Sequence, residues 1–192
     1  MKKIILATAS ERKKRLFALL RLDFDITDHL FDEKSISGLG PHEHVIAIAK
    51  GKVESIASQY EDSLIIGLDT VVAYKDKILE KPINLTDAVN MLLYLNGSLH
   101  EVVTGLYIYD TLTKKSFASA IITSIYFKNL TEAELTSYVE KEDDVLDIAG
   151  TYDHEKLGAV LLEKIDGDFY NSVGMPLSAT ADALKKFDIR VL

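Results

Sequence analysis

Residues 64–73 are Leu-Ile-Ile-Gly-Leu-Asp-Thr-Val-Val-Ala, an apolar run of strand length that one carboxylate, Asp69, interrupts. The run predicts a buried strand, in which an unpaired ionised carboxylate would cost several kcal/mol. Asp69 therefore needs a cationic partner, a metal ion or a catalytic role. Basic groups occur in the segment 10–15 and at Lys81, just before Pro82. A buried acid with separated cations is the combination that a phosphate ester and its magnesium ion require.

The composition is that of an ordinary globular protein, with 47% hydrophobic residues, 27% charged residues and no cysteine among 192 residues. We expect one domain over residues 1–192. The net charge of −8 argues against general nucleic-acid binding. Residues 1–15, however, contain six basic residues and one acidic residue. Such a basic island on an acidic protein favours a small anionic ligand.

The N-terminal sequence superficially resembles a signal peptide, since Met1-Lys2-Lys3 precedes four apolar residues. The apolar stretch is too short for that function, and a highly polar segment follows it. No stretch has the length that is needed to cross a bilayer. We therefore expect a cytoplasmic protein with neither a membrane nor a nucleic-acid partner.

Apolar periodicity predicts strands that alternate with helices. The strands are predicted at 4–7, 24–27, 64–74, 78–79, 102–109, 119–127, 157–165 and 189–192. The helices are predicted after Ser10, over 45–60, from 86 to Asn96-Gly97, from the capping box at Thr131 and after Met175-Pro176. Because βα units are combined with hairpins, the sheet is expected to be mixed rather than all parallel.

The basic segment after the first strand allows two interpretations. Ser10, Arg12 and Lys13 could form an anion site, because a helix N-terminus presents free N–H groups and a positive dipole. They could equally form a solvated first turn that a serine caps. The segment lacks the glycines of a P-loop or a dinucleotide-binding motif.

The acidic residues and lysines further along the chain also allow structural interpretations. Asp69 could form a plain salt bridge with Lys52 or Lys81. Thr70 could belong to a site or be an ordinary β-branched strand residue. Glu33 lies in a polar segment, where a solvated glutamate is usual.

In chain order, these pieces resemble the Maf family of septum-formation proteins, or Maf-like nucleoside triphosphate pyrophosphatases. The resemblance covers nearly the whole chain through short motifs that are weak alone and specific together. The motifs are Leu6-Ala7-Thr8-Ala9-Ser10-Glu11-Arg12-Lys13, Asp32-Glu33, Ala49-x-x-Lys52-Val53, Asp69-Thr70-Val71-Val72, Glu80-Lys81-Pro82, His100-x-x-Val103-Thr104-Gly105, Ala149-Gly150-x-Tyr152 and Val173-Gly174-Met175-Pro176-Leu177.

The resemblance implies an α/β fold related to that of the inosine triphosphatases. This fold has an elongated, twisted mixed β-sheet flanked by helices, and two lobes with a central cleft for the nucleotide. The implied reaction is hydrolysis of a nucleoside triphosphate to the monophosphate and pyrophosphate, assisted by a divalent metal cation, Mg²⁺ or Mn²⁺. A homodimer is also implied.

The resemblance assigns roles to individual residues of this chain. Asp69 would accept the proton of the attacking water, bind the metal, or do both. Glu33 would be the second acidic group at the metal. The phosphates would be held by five residues: Ser10, Arg12, Lys13, Lys52 and Lys81. Of these, Lys52 and Lys81 would join the two acidic residues in the catalytic set.

Three positions are implied in substrate choice: Arg12, Thr70 and Glu155. Arg12 and Thr70 resemble the branch that is selective for dTTP and UTP. Glu155 replaces the glutamine of that branch and resembles the 7-methyl-GTP branch. We expect a house-cleaning pyrophosphatase that acts on dTTP, UTP and modified pyrimidine nucleotides. The alternatives are a 7-methyl-GTP pyrophosphatase and a nucleotide-binding regulator of cell division with little turnover.

Overall fold

The structure, a computed structural model, describes residues 2–192. Its seven strands form one sheet: β1 (Lys3–Ala7), β2 (Asp25–Thr27), β3 (Ser63–Tyr74), β4 (Lys77–Leu79), β5 (Leu99–Asp110), β6 (Ser116–Phe127) and β7 (Leu162–Asp166). The helices are α1 (Glu11–Phe17), α2 (Pro41–Glu54), α3 (Leu85–Leu95), α4 (Glu132–Lys141), α5 (Phe169–Ser172) and α6 (Leu177–Lys185). Within the described residues, no helix has the length and apolar character needed to cross a membrane.

The sheet is mixed, as predicted, with the strand order β2-β1-β3-β5-β6-β7. β1 pairs in parallel with both β2 and β3, whereas the other pairings are antiparallel. Parallel neighbours need crossover connections, and α1 and α2 supply them by following β1 and β2 in the chain. The long antiparallel strands β3, β5 and β6 form the centre of the sheet.

β3 changes its neighbour part-way along its length. β1 pairs with β3 only as far as Gly67, whereas β4 pairs with it from Val72 onward. The opposite edge of β3 pairs with β5 throughout this region. Residues 68–71 therefore form a gap in the sheet on the β1 side, and the gap contains Asp69. It lies just beyond the C-terminal end of β1, where α/β sheets commonly bind ligands.

Two apolar clusters cover one face of the sheet on either side of this sheet gap. Leu64, Ile66 and Leu68 of β3 pack with α1 and α6, whereas Val72 packs with α3 and α4. Successive residues of a strand point to opposite faces, so these four residues share a face with Thr70. Thr70 thus lies between the clusters, which correspond to the two predicted lobes on one continuous sheet.

α2 covers the opposite face of the sheet, and two glycines allow its backbone to approach closely. A Cβ atom at Gly67 would lie 2.4 Å from the carbonyl oxygen of Ala49. A Cβ atom at Gly105 would lie 2.2 Å from the carbonyl oxygen of Val45. Both distances are far shorter than a van der Waals contact, so only glycine fits at these positions. The close packing brings the last turn of α2 onto β3.

The predicted caps are confirmed. Ser10 accepts a hydrogen bond from the backbone N–H of Lys13, and Thr131 forms the predicted capping box with Glu134. α3 ends before Asn96-Gly97, as predicted. The helix predicted over 45–60 instead begins at Pro41 and ends at Glu54, with a separate 3₁₀ segment over Ala57–Gln59.

Two strand predictions are wrong in the C-terminal region. The strand predicted over 157–165 begins only at Leu162, because residues 157–161 form a 3₁₀ segment in which Gly158 packs against the backbone of Asp153. No strand forms over 189–192 in the described chain. Ile189 packs into the cluster of α1 and α6, which satisfies its apolar side chain without strand pairing.

His100 of β5 is a buried neutral residue. Its Nε2 lies 2.8 Å from the hydroxyl of Tyr152, and its ring packs edge-on against Phe127. The side chain is 2% exposed, and burial lowers its pKa to about 4. The unfolded chain, in contrast, protonates this histidine near its ordinary pKa of about 6.5.

We therefore expect His100 to make the protein less stable as the pH falls from about 6.5 to about 4. In this window the unfolded state gains a proton that the folded state does not accept, and the cost reaches roughly 3 kcal/mol. Urea unfolding at pH 7 and pH 4.5 measures the effect, with His100→Gln as the comparison. The wild type should lose more stability than the variant, and equal losses would contradict the prediction.

Candidate active site

Three charged side chains meet at the sheet gap. The ammonium nitrogen of Lys52 lies 2.9 Å from Oδ1 of Asp69 and 3.1 Å from Oε1 of Glu33. Asp69 is 8% exposed and Lys52 is 6% exposed, whereas the Glu33 side chain is 46% exposed. The ion pair offsets the cost of burying the two charges, and Glu33 connects the pair to solvent.

The salt bridge between Asp69 and Lys52, one of the two considered from the sequence, is therefore present. Lys52 lies in the last turn of α2, and the close packing of that helix on β3 directs its ammonium group at Asp69. Oδ1 of Asp69 accepts this hydrogen bond. Oδ2 has no hydrogen-bond partner within residues 2–192. Lys52 thus holds the carboxylate at one oxygen, and the other oxygen is available to accept a hydrogen bond.

Lys13 reaches the sheet gap from α1. The Ser10 cap fixes the first turn of this helix, and the Lys13 ammonium group donates to the carbonyl of Leu68 at 3.1 Å. Burial, reinforced by the positive charge of Lys52, lowers the pKa of Lys13 to about 8. A cation with such a pKa still carries its proton at pH 7, and a bound anion would raise the pKa again.

Two arginines of α1 form ion pairs with the segment that follows Tyr152. Arg12 lies 3.4 Å from Oδ2 of Asp153, and Arg15 contacts both carboxylate oxygens of Glu155, at 3.0 and 2.8 Å. The two segments border a cleft of about 660 Å³, which we call the α1 cleft. Its lining includes Ser10, Arg12, Arg15, Asp147, Asp153 and Glu155.

Lys81 is not brought to Asp69. Its ammonium group lies 3.8 Å from Oδ1 of Asp147, and 62% of its side chain is exposed. The salt bridge between Lys81 and Asp69 that the sequence left open is therefore absent from the described chain. Because Asp147 lines the α1 cleft, Lys81 lies at the rim of that cleft.

Thr70 contributes a hydroxyl group between the two apolar clusters. Its Oγ1 lies 3.0 Å from Oγ1 of Thr104 on β5. Gly174, which has a φ of +88°, packs against it so closely that a Cβ atom there would lie 3.2 Å from Oγ1 of Thr70. This position suits glycine both by conformation and by space.

Four residues near the site were missed by the sequence analysis: His29, Asp153, His154 and Asn171. His29 places Nε2 3.3 Å from Oε1 of Glu33, and burial, with the charge of Lys52, lowers its pKa. The amide nitrogen of Asn171 donates to backbone carbonyls of β5 and β6. Asp153 and His154 directly follow the Ala149-Gly150-x-Tyr152 motif. Their position next to this motif was the one sequence signal that they belong to the site.

The two acidic residues at the sheet gap carry carboxylate oxygens, the type of ligand that Mg²⁺ prefers. Oδ1 of Asp69 and Oε1 of Glu33 lie close together because both contact the Lys52 ammonium group. Mg²⁺ commonly takes one or two carboxylates together with substrate phosphates. Residues 2–192 contain no cluster of three or more acidic, histidine or cysteine residues that could hold a metal alone.

Comparison with known proteins identifies the family. Residues 3–187, nearly the whole chain, match the family described as Maf-like protein. The chain belongs to the Maf family. A relative from Clostridium novyi (strain NT), named dTTP/UTP pyrophosphatase, is 39% identical and covers 92% of this chain and 93% of its own length. Proteins of the same name from Acetivibrio thermocellus and Clostridioides difficile (strain 630) are 39% and 37% identical, over 100% and 96% of this chain.

Membership in the Maf family agrees with the mixed α/β sheet. The Maf motifs that contain Lys13, Glu33, Lys52 and Asp69 converge on the sheet gap, although they are spread over nearly sixty residues of sequence. The motif that contains Lys81 instead reaches the rim of the α1 cleft.

Proposed function

We propose that the protein is a nucleoside triphosphate pyrophosphatase that converts dTTP and UTP to their monophosphates and pyrophosphate. The observation that carries this proposal is the buried carboxylate of Asp69, held by Lys52 at a sheet gap that Lys13 also reaches. The relatives support the substrates, because Maf proteins 36–39% identical to this chain are named dTTP/UTP pyrophosphatases. Modified pyrimidine nucleotides are further proposed substrates, in a house-cleaning role.

Asp69 acts as the general base in this proposal. A water molecule that attacks phosphorus must be oriented and must lose a proton, and a carboxylate within hydrogen-bond reach does both. Lys52 holds Oδ1 in place, so Oδ2 accepts the proton. No covalent intermediate is needed, because the water attacks phosphorus directly.

The basic residues stabilise the leaving group. Cleavage between the α- and β-phosphates moves negative charge onto the bridging oxygen, and fixed cations in a cleft offset this charge. Lys13 and Lys52 act at the sheet gap. Arg12 and Ser10 act from the start of α1, and Lys81 acts from the rim of the α1 cleft. The triphosphate competes with Asp153 for Arg12, because that ion pair is long at 3.4 Å.

A divalent cation, Mg²⁺ or Mn²⁺, would be held by Asp69 and Glu33 together with phosphate oxygens. When bound, it would neutralise phosphate charge during the reaction. His29 keeps Glu33 oriented through its contact with Oε1. The cytoplasmic location that we expect from the sequence stays a prediction, and so does the homodimer that the resemblance implies.

A panel of triphosphates tests the proposed function. We expect pyrophosphate release from UTP and dTTP with kcat/KM at least about tenfold higher than from 7-methyl-GTP, because the Arg15 contact occupies both carboxylate oxygens of Glu155. The assay uses purified protein with Mg²⁺ or Mn²⁺, and with EDTA as the control. Preferential turnover of 7-methyl-GTP would favour the alternative enzyme. Tight nucleotide binding without pyrophosphate release would favour a regulator.

A further inference from the structure

A small cavity lies beside Thr70, behind the ion pair of Arg12 and Asp153. Its volume is about 60 Å³, and its lining includes Arg12, Thr70, Asp153, His154, Ser172 and Gly174. Arg12 and Asp153 also line the α1 cleft, so these two side chains separate the cavity from that cleft. The volume equals about two water molecules at roughly 30 Å³ each, which is room for the edge of a ring.

Hydrogen-bond direction fixes the tautomer of His154. The hydroxyl of Ser172 donates its one proton to the carbonyl of Phe169 at 2.7 Å. Oγ of Ser172 must therefore accept its hydrogen bond from Nε2 of His154, which lies 2.8 Å away. With its proton on Nε2, the neutral ring has an unprotonated Nδ1 that is an acceptor only. Burial lowers the pKa of His154, which favours this neutral form at pH 7.

Nδ1 of His154 is buried and has no hydrogen-bond partner within residues 2–192. The residue is 8% exposed, and its ring packs between Tyr152 and Phe169, with centroid distances of 6.0 and 5.6 Å. Buried acceptors in native proteins are almost always satisfied, so one that lacks a protein donor takes its hydrogen bond from water or from a bound ligand. A ligand N–H group would supply the missing donor.

We propose that Nδ1 of His154 accepts the N3–H group of uracil or thymine and so selects these bases against cytosine. The inference rests on the proposed function and names the residue that reads the base. Uracil and thymine carry a hydrogen on N3, whereas N3 of cytosine is itself an acceptor. Two facing lone pairs would repel, so cytosine loses the hydrogen bond and gains an unfavourable contact.

The neighbouring residue Glu155 is less suited to this task. Both of its carboxylate oxygens are engaged by Arg15. Glu155 lines the α1 cleft, whereas His154 lines the cavity next to Thr70. The base therefore enters from the α1 cleft as Arg12 turns from Asp153 to the phosphates, and its N3 edge meets His154.

Paired substrates and one substitution test the inference. We expect the wild type to prefer UTP over both CTP and N3-methyl-UTP by at least about 100-fold in kcat/KM, since both analogues lack the N3–H group. His154→Phe keeps an aromatic ring but removes the acceptor, and should reduce both preferences to within about tenfold. A wild type that hydrolyses N3-methyl-UTP as well as UTP would overturn the inference, and this arm needs no substitution. Unchanged preferences in a folded His154→Phe variant would also overturn it.

Binding measurements separate this inference from the proposed function. Calorimetry with the non-hydrolysable α,β-imido analogues of UTP and CTP gives an affinity ratio that does not depend on turnover. A wild-type affinity ratio of UTP analogue to CTP analogue above about tenfold, which falls in His154→Phe, supports the inference. This holds even if UTP is not hydrolysed, because the lack of hydrolysis would reject only the proposed function. Equal affinities in the wild type, or no binding of either analogue, would overturn the inference. His154→Gln is the matched control, because its amide oxygen can accept the N3–H group and should retain part of the ratio.

Discussion

The Asp69→Asn variant should release pyrophosphate from UTP and dTTP at least about 10³-fold more slowly than the wild type. General bases contribute roughly 10²- to 10⁴-fold, and asparagine has the shape of aspartate without its ability to take a proton. The substitution also removes a negative charge from the sheet gap. Lys52 keeps its contact with Glu33 at 3.1 Å, so we expect the variant to remain folded. Pyrophosphate release and circular dichroism measure the two effects.

Asp110→Asn is a matched control for this prediction. Asp110 is another buried carboxylate with a lysine partner, Lys2, and it is 3% exposed. It lies on β5 five residues beyond Gly105, the register partner of Asp69, which is about 17 Å along the strand. We expect Asp110→Asn to lose stability while keeping near wild-type turnover. Near wild-type turnover in Asp69→Asn would contradict its role as the base.

The Gly105→Ala variant should be destabilised by about 3 kcal/mol and should also lose activity. The added Cβ atom would lie 2.2 Å from the carbonyl oxygen of Val45, so α2 must move away from the sheet. That movement carries Lys52 away from Asp69. A misplacement of about 1 Å at a reacting group can cost about 100-fold in rate. Urea unfolding and steady-state kinetics on UTP measure the two losses.

Gly40→Ala provides a control in the same helix. Gly40 caps α2 with a φ of −66°, and a Cβ atom there meets only the end of the flexible Glu43 side chain. We expect a loss of less than about 1 kcal/mol and unchanged turnover, because alanine can adopt this φ and no side-chain cap is lost. If Gly105→Ala behaved like Gly40→Ala, close packing of α2 would not position Lys52.

The strand that contains Asp69 could be predicted from the sequence because the signal is local. An apolar run that contains one carboxylate predicts that the strand is buried and that the carboxylate needs a partner. The Ser10 cap and the Thr131 capping box are local in the same way. The identity of the partner was less accessible, because Lys52 is seventeen residues away and reaches Asp69 only through the packing of α2 on Gly67 and Gly105.

The C-terminal third of the chain was harder to predict for a related reason. Apolar residues over 157–161 have the composition of a strand, but the backbone folds into a 3₁₀ segment against Asp153. Ile189 is buried by packing rather than by pairing. The tautomer of His154 depends on the hydroxyl of Ser172 and the carbonyl of Phe169, two groups that no sequence pattern relates to it.

The pairing of β3 with β5 limits how this protein can move. The two strands are joined without a bulge by ten consecutive residue pairs, from Leu64–Asp110 to Ala73–Glu101. Both apolar clusters pack on this ladder. Hinge rotation needs a few backbone positions that absorb large torsional changes, and an uninterrupted ladder offers none without breaking interstrand hydrogen bonds. We therefore expect nucleotide entry and product departure to involve shifts of α1 and of the segment after Tyr152. We expect the strand that carries Asp69 to keep its place on β5 during turnover.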